Sequence, residues 1–557
     1  MAVTLAVFQN GDDALLVWNV GAAIPGCRGF AVRRELTRAG KKHATWLDNY
    51  VGFAGKPHKR GEKRRSTVWP FQQFAWTDHE VSAGDSVRYR VVPVVRAADG
   101  KLKRLTGEQS AWSVVAPAGG SPFRAFFNRG YVMSQFMAQY LAQSGKTLEQ
   151  FKDTIRDKDD RTIRHFLSGD LRVQMLRLLD GARTRGEHVY AALFELTDHE
   201  LIDGLKALGP RAHVVLANGS ISPKNGETAA QARKRDGNAE ARATLVAAGA
   251  DVETGRRFTS PGALAHNKFL VVTDPQGAPR AAWTGSTNWA PTGLCTQLNN
   301  GLLIEDAAIA DQYLRQWHRL RAAGNAFPAS LKTANSSPRT SGDATVWFTR
   351  TNGRADLKAL TAEVDRARQS ILCLMFMPGG KGLLPAIQRR EREPGLFVRG
   401  VISELPDPKD ESVVEVTILG DGKPFSRQLN IIEPAGFENA IAYWAAEVTR
   451  SQFLGRVGHA IIHSKVVVID PLSDDPTVIT GSHNFSESAS ARNDENFMII
   501  RGDRALAQAY MVNIIGAYRH YRARTKRSKP YLGLKDDDKW MAGALAARKR
   551  DRQLWGF

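Results

Sequence analysis

One short pattern of residues occurs twice in this chain, and a duplication constrains the architecture more strongly than any single motif does. In the first copy, residues 266–274 read HNKFLVVTD and residues 285–288 read GSTN. In the second copy, residues 463–470 read HSKVVVID and residues 481–484 read GSHN. Because the same polar residues recur in the same order, the chain is predicted to contain two copies of one ancestral module.

The residue types in this repeat suit the binding of a phosphate. Each histidine lies two residues before a lysine in an apolar run that predicts a strand, so both side chains emerge on one face. The glycine of the following turn permits close backbone approach, and serine and asparagine supply hydrogen-bond donors. The candidate catalytic residues are His266, His463, Lys268, Lys465, Asn288 and Asn484, and the candidate substrate-binding residues include Ser286 and Ser482. A pseudo-twofold relation would place both sets around one phosphorus atom, with no metal ligand needed.

These residues resemble the phospholipase D superfamily, whose signature is H-x-K-x4-D followed by G-S-x-N. The second copy fits the signature throughout, whereas the first has Thr273 at the aspartate position and Asp274 one residue later. We therefore do not expect Asp274 to do the usual structural job of that aspartate. The resemblance covers about residues 123–530 and implies an α/β fold in which two duplicated modules pack as a pseudo-twofold pair.

The resemblance also implies a mechanism without cofactor or metal. In the family one histidine attacks phosphorus to give a phosphohistidine, and the other protonates the leaving oxygen. At the same interval after each Gly-Ser-x-Asn turn stand Asn299 in the first copy and Glu495 in the second. Since a neighbouring carboxylate favours imidazolium, we expect His463 to start protonated as the acid and His266 to start neutral as the nucleophile. Glu495 is thus a candidate catalytic residue and Asn299 a candidate substrate-binding residue.

The remaining chain divides at two linker-like segments. Residues 1–117 predict short strands of a small β-sandwich, for example at 14–20, with Trp18 and Tyr89 resembling the core of fibronectin type III domains. Pro- and Gly-rich residues 116–122 then precede the first module at 123–333, and residues 334–342 read as a second linker before the second module at 343–530. Within the modules the pattern predicts a helix near 130–143 and strands at 189–194 and 370–377, the latter a buried run. Residues 531–557 are expected to form a basic, solvated tail of helix and coil.

Net charge, cysteine content and the lack of long apolar runs limit the partners, metal sites and compartment that the sequence predicts. The 557 residues carry a formal net charge of +20, which favours polyanionic partners, although the basic run at 56–65 also reads as a solvated loop. The three cysteines predict neither a disulfide framework nor a zinc site. With no signal peptide or long apolar run apparent, the sequence predicts a soluble, cytoplasmic protein.

Three functions remain open on the sequence alone. The first is a phosphodiesterase of lipid metabolism that hydrolyses or exchanges phospholipid headgroups, with peripheral contact to anionic membranes. The second is a nuclease, which the basic charge also favours. The third is a binding or scaffold protein whose catalytic pair is vestigial. Both modules lie in one chain, so a monomer could be active, while the partner of the N-terminal domain stays unknown.

Overall fold

A computed structural model provides the structure of the chain. It describes residues 3–56, 62–114, 120–131, 145, 148–156, 161–218, 226, 228, 231, 236–253, 263–379, 381–403, 417–418, 431–433, 462–523, 533–547, 551 and 554–556. The helix predicted near residues 130–143 and the middle of the basic run at 56–65 lie outside these ranges.

The N-terminal region is built from antiparallel strands, as predicted. Its strands are β1 (Val3–Gln9), β2 (Ala14–Val20), β3 (Cys27–Arg38), β4 (Lys41–Trp46), β5 (Asp48–Asn49), β6 (Arg64–Arg65), β7 (Ala75–Asp78), β8 (Ser86–Arg96), β9 (Leu102–Arg104) and β10 (Ser113–Val114). One sheet has the order β1-β2-β7 and another the order β10-β8-β3-β4, with β9 paired to β8. Trp18 and Tyr89 are buried in the core formed by residues of both sheets.

The first repeat folds into a mixed α/β module. Its elements are β11 (Phe123–Phe127), α1 (Leu148–Arg156), α2 (Arg161–Arg185), β12 (His188–Leu193), α3 (His199–Lys206), β13 (Ala212–Leu216), α4 (Ala239–Ala247), β14 (Asp251–Val252), β15 (Lys268–Thr273), β16 (Pro279–Gly285), α5 (Pro291–Cys295), β17 (Asn300–Ile304), α6 (Ala307–Ala323) and α7 (Ala329–Asn335). The sheet order is β11-β17-β16-β15-β12-β13-β14. Strand β12 is parallel to β13 and antiparallel to β15.

The second repeat folds in the same way, with added strands at its edges. Its elements, together with a C-terminal helix, are β18 (Arg339–Ser341), β19 (Ala344–Phe348), α8 (Ala355–Asp365), β20 (Ser370–Met375), α9 (Leu384–Glu391), β21 (Phe397–Ile402), β22 (Thr417–Ile418), β23 (Ile431–Glu433), β24 (Val466–Ile469), β25 (Thr477–Gly481), α10 (Glu487–Ala491), β26 (Asn496–Arg501), α11 (Arg504–Ala523) and α12 (Lys539–Ala547). The sheet order is β18-β19-β26-β25-β24-β20-β21-β23-β22.

The two sheets share one apolar core. Phe269 and Val271 of β15 lie in the same cluster as Val466 and Val468 of β24, together with apolar residues of α6 and α11. The opposite face of each sheet has its own cluster, covered by the other helices of that module. Each sheet is therefore buried on both faces, which explains why its central strands are almost continuously apolar.

Two segments differ from the sequence-based expectation. Residues 334–342 do not form a free linker, because α7 continues to Asn335 and β18 pairs with β19 in register Arg339↔Val346. The C-terminal helix α12 was expected to be solvated, and this prediction is wrong. Trp540 and Met541 are buried in the core of the N-terminal sandwich, and Trp540 Nε1 donates to the Cys27 carbonyl at 3.0 Å. None of the helices within the described ranges combines the length and apolar character that crossing a bilayer requires.

Candidate active site

The two repeated segments face each other, and each is held by the other module. The backbone N–H of His266 donates to the Asp494 carbonyl, and that of His463 donates to the Leu298 carbonyl, both at 2.9 Å. These contacts belong to short parallel bridges just before the strands that carry the lysines. All four candidate side chains are buried, with exposed fractions of 4% for His266, 1% for His463, 1% for Lys268 and 0% for Lys465. The predicted histidine and lysine pairs are therefore brought into one enclosed site.

Each histidine forms a hydrogen bond with a side chain of the opposite module. His266 Nδ1 lies 3.0 Å from Glu495 Oε2, and His463 Nδ1 lies 2.9 Å from Asn299 Oδ1. We expected Glu495 to act on His463 of its own module, and this pairing is wrong. It failed because Glu495 and Asn299, which lie at the same interval after the two turns, each point across the pseudo-twofold axis toward the histidine of the opposite module. The carboxylate therefore orients His266, and the amide orients His463.

Asn299 is oriented by its own neighbours. Ser286 Oγ donates to Asn299 Oδ1 at 2.7 Å, and Asn299 Nδ2 donates to the Gly293 carbonyl at 2.9 Å. Because the amide nitrogen is turned to a carbonyl, Oδ1 faces His463 and accepts from its Nδ1–H. The Ser482 hydroxyl, the counterpart of Ser286 in the second module, accepts from the backbone N–H of Asn496 at 3.1 Å. Both serines thus contact protein groups beside the histidines, and Asn299 acts on a histidine.

The two lysines make equivalent contacts in their own modules. Lys268 Nζ donates to the His266 carbonyl at 2.7 Å, and Lys465 Nζ donates to the His463 carbonyl. Each ammonium also lies 4.7 Å from the centre of a phenylalanine ring, Phe194 in the first module and Phe376 in the second. The same rings lie 4.8 Å from the imidazoles. We did not select either phenylalanine from the sequence, although both lie in runs predicted as buried strands.

The two asparagines of the Gly-Ser-x-Asn turns have different surroundings. Asn288 is fully buried and its Nδ2 donates to Glu195 Oε2 at 2.7 Å. Asn484 is partly exposed. Glu195 directly follows Phe194, whereas Met377 follows Phe376 in the second module. Sequence reasoning missed Glu195, and its place directly after a predicted strand was the signal that could have found it.

Only glycine fits the first position of each turn. A Cβ at Gly285 would lie 2.4 Å from the Asn300 carbonyl oxygen, and one at Gly481 would lie 2.3 Å from the Asn496 carbonyl oxygen. Both contacts are far closer than carbon and oxygen can approach, so a side chain here would push the turn off its neighbouring strand. This close approach lets the Ser286 and Ser482 N–H groups donate to those same carbonyls at 3.0 and 2.9 Å.

A symmetric set of hydrogen bonds joins the modules behind the histidines. Thr284 Oγ1 donates to Asn496 Oδ1 at 2.6 Å, and Asn300 Nδ2 donates to Thr480 Oγ1 at 2.9 Å. The hydroxyls of Tyr313 and Tyr510 lie 3.1 and 3.0 Å from the same two asparagine side chains. The relative placement of the histidines is therefore fixed by buried polar contacts as well as by the shared apolar core.

Burial dominates the protonation of the site. It lowers the pKa of His266 to about 4, against the opposing effect of Glu495, and lowers the pKa of His463 well below its usual value, with Lys465 adding to the effect. It also lowers the pKa of Lys268 to about 7. Burial opposes ionisation of Glu495, but the neighbouring His266 outweighs it, so the pKa of Glu495 is lowered. Both imidazoles are neutral in the free site, and Glu495 is ionised.

Comparison with known proteins agrees with this architecture. The sequence matches the family described as "Cardiolipin synthase, PLD-like domain" over residues 175–321 and 360–514, more than half of the chain. The chain therefore belongs to this phospholipase D-like family and contains two of its modules.

Similarity to individual proteins is short or distant. The phospholipases D of Rickettsia prowazekii and Rickettsia felis are 49% identical over 53 residues, which is 10% of this chain and 23% and 24% of those proteins. The match thus spans about a quarter of these relatives. Phosphatidylserine synthase of Haemophilus influenzae aligns with 14% identity and a TM-score of 0.39, over 70% of this chain and 92% of that one. Nuc of Salmonella typhimurium aligns with 20% identity and a TM-score of 0.20, over 33% and 99%.

Proposed function

We propose that this chain is a metal-independent phosphodiesterase that works through a phosphohistidine intermediate. The observation that carries the proposal is the crossed pair of buried histidines, each oriented through Nδ1 by the opposite module. This arrangement leaves the Nε2 atoms as the ring nitrogens that meet a substrate. Two imidazoles beside two lysines supply a nucleophile, an acid and positive charge for one phosphodiester.

His266 is the nucleophile in this mechanism. The ionised Glu495 accepts from Nδ1–H, which keeps the lone pair on Nε2, and it stabilises the positive ring that forms on attack. Nε2 forms a bond to phosphorus while the bond from phosphorus to the leaving oxygen breaks. The leaving oxygen takes a proton from Nε2 of His463. Water or an alcohol then attacks phosphorus, gives its proton back to His463, and displaces His266.

His463 suits the acid role for the opposite reason to the one we expected from the sequence. Its partner Asn299 is neutral and stabilises the imidazolium less than a carboxylate would, so the ring gives up its proton readily. A bound phosphodiester monoanion favours protonation of His463, so the proton is acquired on substrate binding. Lys268 and Lys465, with Asn288 and Asn484, stabilise the charge that grows on the non-bridging oxygens.

The pKa values predict a bell-shaped dependence of kcat/KM on pH. Below about pH 4 His266 becomes protonated and cannot attack, so the rate falls as the pH falls. As the pH rises the rate falls for two reasons: above about pH 7 Lys268 loses the positive charge that it offers the phosphate, and His463 takes up its catalytic proton less readily. A profile without a falling alkaline limb would contradict both the charged role of Lys268 and the acid role of His463.

Phospholipid headgroups are the substrate class that we propose first. The family description and the names of the phospholipase D relatives support hydrolysis or exchange of a phospholipid headgroup. We propose that the reaction takes place in the cytoplasm at an anionic membrane surface, which a net charge of +20 favours. A nuclease is the second candidate, because the net charge of +20 also favours nucleic acid. A catalytically vestigial scaffold is the third.

The deciding experiment incubates the purified chain, in EDTA, with phosphatidylcholine vesicles and separately with single- and double-stranded DNA. His266→Ala and His463→Ala are the test variants, and His43→Ala on the exposed strand β4 is the matched control. Choline release that only the test variants abolish supports the lipid proposal, and DNA fragments that only they abolish support the nuclease. If neither product forms, the phosphodiesterase proposal fails and the scaffold stands. Mapping of a trapped phosphoryl group to His463 would reverse the roles of the histidines.

A further inference from the structure

We propose that Glu195 is a positioning residue that fixes the orientation of the Asn288 amide, so that this asparagine presents an N–H group to the phosphate. The inference rests on the proposed phosphodiesterase function. It concerns a residue that lies outside both copies of the repeated pattern, and the equivalent sequence position in the second module holds Met377 rather than a carboxylate.

The backbone holds Glu195 firmly in place. It lies two residues beyond the end of β12, where Leu193 pairs with Lys268 of β15. The Trp289 N–H donates to the Glu195 carbonyl at 3.2 Å, so the residue is tied to the position directly after Asn288. Its side chain is nearly buried, with 8% of the residue exposed. The end of β12 and its pairing with β15 therefore hold the carboxylate next to the site.

A carboxylate at this point determines which way the Asn288 amide faces. The Asn288 amide nitrogen donates to Glu195 Oε2 at 2.7 Å, which is the orientation that a carboxylate acceptor requires. One of the two N–H bonds is then held by Glu195, and the second is left to donate to a phosphate oxygen. Without Glu195, the amide could turn its oxygen toward the phosphate and repel it.

The second module has no carboxylate at the equivalent sequence position. Phe376 repeats the contacts of Phe194 with the histidine and the lysine, but the next residue is Met377 rather than a carboxylate. Asn484 is correspondingly the more exposed of the two asparagines. The pair of modules is therefore symmetric in its histidines and lysines and asymmetric in the support of its asparagines.

Glu195 also distinguishes the two lysines. Among the described residues, the charged and titratable groups that interact with Lys268 are Glu195, Glu495, Lys465 and the two histidines. Burial lowers the pKa of Lys268 to about 7, while Glu495 and Glu195 oppose the change. Burial lowers the pKa of Lys465 well below its usual value, and Lys268 adds to the effect. Glu195 thus opposes the loss of the proton from Lys268, whereas the carboxylate that opposes it at Lys465 is Glu495.

The test measures kcat/KM against pH for bis(p-nitrophenyl) phosphate, a soluble diester that needs no membrane. Glu195→Gln keeps a hydrogen-bond acceptor of the same length but removes the charge, and we expect its alkaline limb to move down by about one pH unit. Glu195→Asp keeps the charge but falls short of Asn288. We expect it to retain the alkaline limb and lose about tenfold in kcat.

Met377→Gln is the matched control, since it places the same amide at the corresponding point of the second module, and its alkaline limb should stay in place. An unmoved alkaline limb in Glu195→Gln, or a kcat of Glu195→Asp equal to that of an active parent enzyme, would overturn the inference and leave the proposed function intact. An inactive parent would instead count against the proposed function. Binding of inorganic phosphate by calorimetry gives a readout that needs no turnover, and Glu195→Gln should bind it with an altered pH dependence. Unaltered phosphate binding would also overturn the inference.

Discussion

The distinction between the two histidines depends on two residues that stand in equivalent positions of the repeat. Glu495 and Asn299 each place a side-chain oxygen beside an imidazole Nδ1, at 3.0 and 2.9 Å, although the glutamate side chain is one methylene longer. They also differ in charge. A pseudo-symmetric site can therefore assign unlike roles to its two histidines through the charge of the residue that orients each of them.

The first prediction removes the charge behind His266. Glu495→Gln should lower kcat by about 10²-fold, because the amide still accepts from Nδ1 but no longer stabilises the positive ring formed on attack. Steady-state rates on the soluble diester would measure it, with unfolding curves as a control for stability. A rate within about threefold of the parent would show that the carboxylate has no catalytic part.

The second prediction adds a charge behind His463. Asn299→Asp should raise the pKa of this histidine and move the pH optimum upward by about one unit. The Gly293 carbonyl loses one donor but keeps the Asn128 amide at 3.1 Å, so we expect the variant to fold. The pH profile of kcat/KM tests it, with Asn352→Asp on an exposed turn as the control. If the pH optimum does not move, Asn299 does not influence proton transfer by His463.

At the scale of residues, the sequence predicts which side chains form the site better than it predicts which of them contact each other. The histidines and lysines follow from the repeat, because the pattern itself requires them side by side on a strand. The partner of Glu495 does not follow, because His266 is distant along the chain and its approach depends on how the modules dock. The role of Glu195 was missed for a related reason: its place after a predicted strand marks it as a candidate, but its neighbour Asn288 lies far away in sequence.

At the scale of elements, the two repeats use their aspartates differently. Asp470 accepts from three successive backbone N–H groups at the start of β20, those of Arg368, Gln369 and Ser370, at 2.8, 2.7 and 2.6 Å. Asp274 accepts from N–H groups inside its own hairpin turn, at 2.9 and 2.8 Å. The extra residue before Asp274 thus turns a link between strands into a local turn.

The third prediction compares the two aspartates. Asp470→Ala should lower the free energy of unfolding by about 2–4 kcal/mol, because it leaves donors at a buried strand end without their charged acceptor. Asp274→Ala should cost less than about 1 kcal/mol, because water can replace the acceptor at an exposed turn. Denaturant unfolding measures both. Equal effects would contradict the distinction.

The strands themselves were predictable where hydrophobic pattern and turn residues coincide. Residues 14–20 were predicted as a strand and form β2, and the buried run from Ser370 forms β20. The C-terminal helix was misjudged for a tertiary reason. The basic composition of residues 531–557 as a whole indicates solvation, but Trp540 of this helix packs against Phe30 and Phe74 of a domain that lies at the other end of the chain.

At the scale of the whole molecule, the site exists only where two modules meet. Neither module supplies both a histidine and the group that orients it, since Glu495 serves His266 and Asn299 serves His463. The strands β15 and β24 also share one core with α6 and α11. A single chain therefore contains a full site only when its two halves dock on each other, which explains why the halves are joined by a short, structured connection.

The last prediction tests that both halves come from one chain. If each site is intramolecular, a mixture of His266→Gln and His463→Gln chains should regain no activity on the soluble diester, because every docked pair contains one damaged histidine. The mixture is made by co-refolding the two variants and assaying it beside either alone. Recovery to about a quarter or more of the parental rate would mean that modules exchange between chains, as in a domain-swapped dimer. Parental chain subjected to the same refolding provides the control, since its activity shows that the procedure preserves the docked modules.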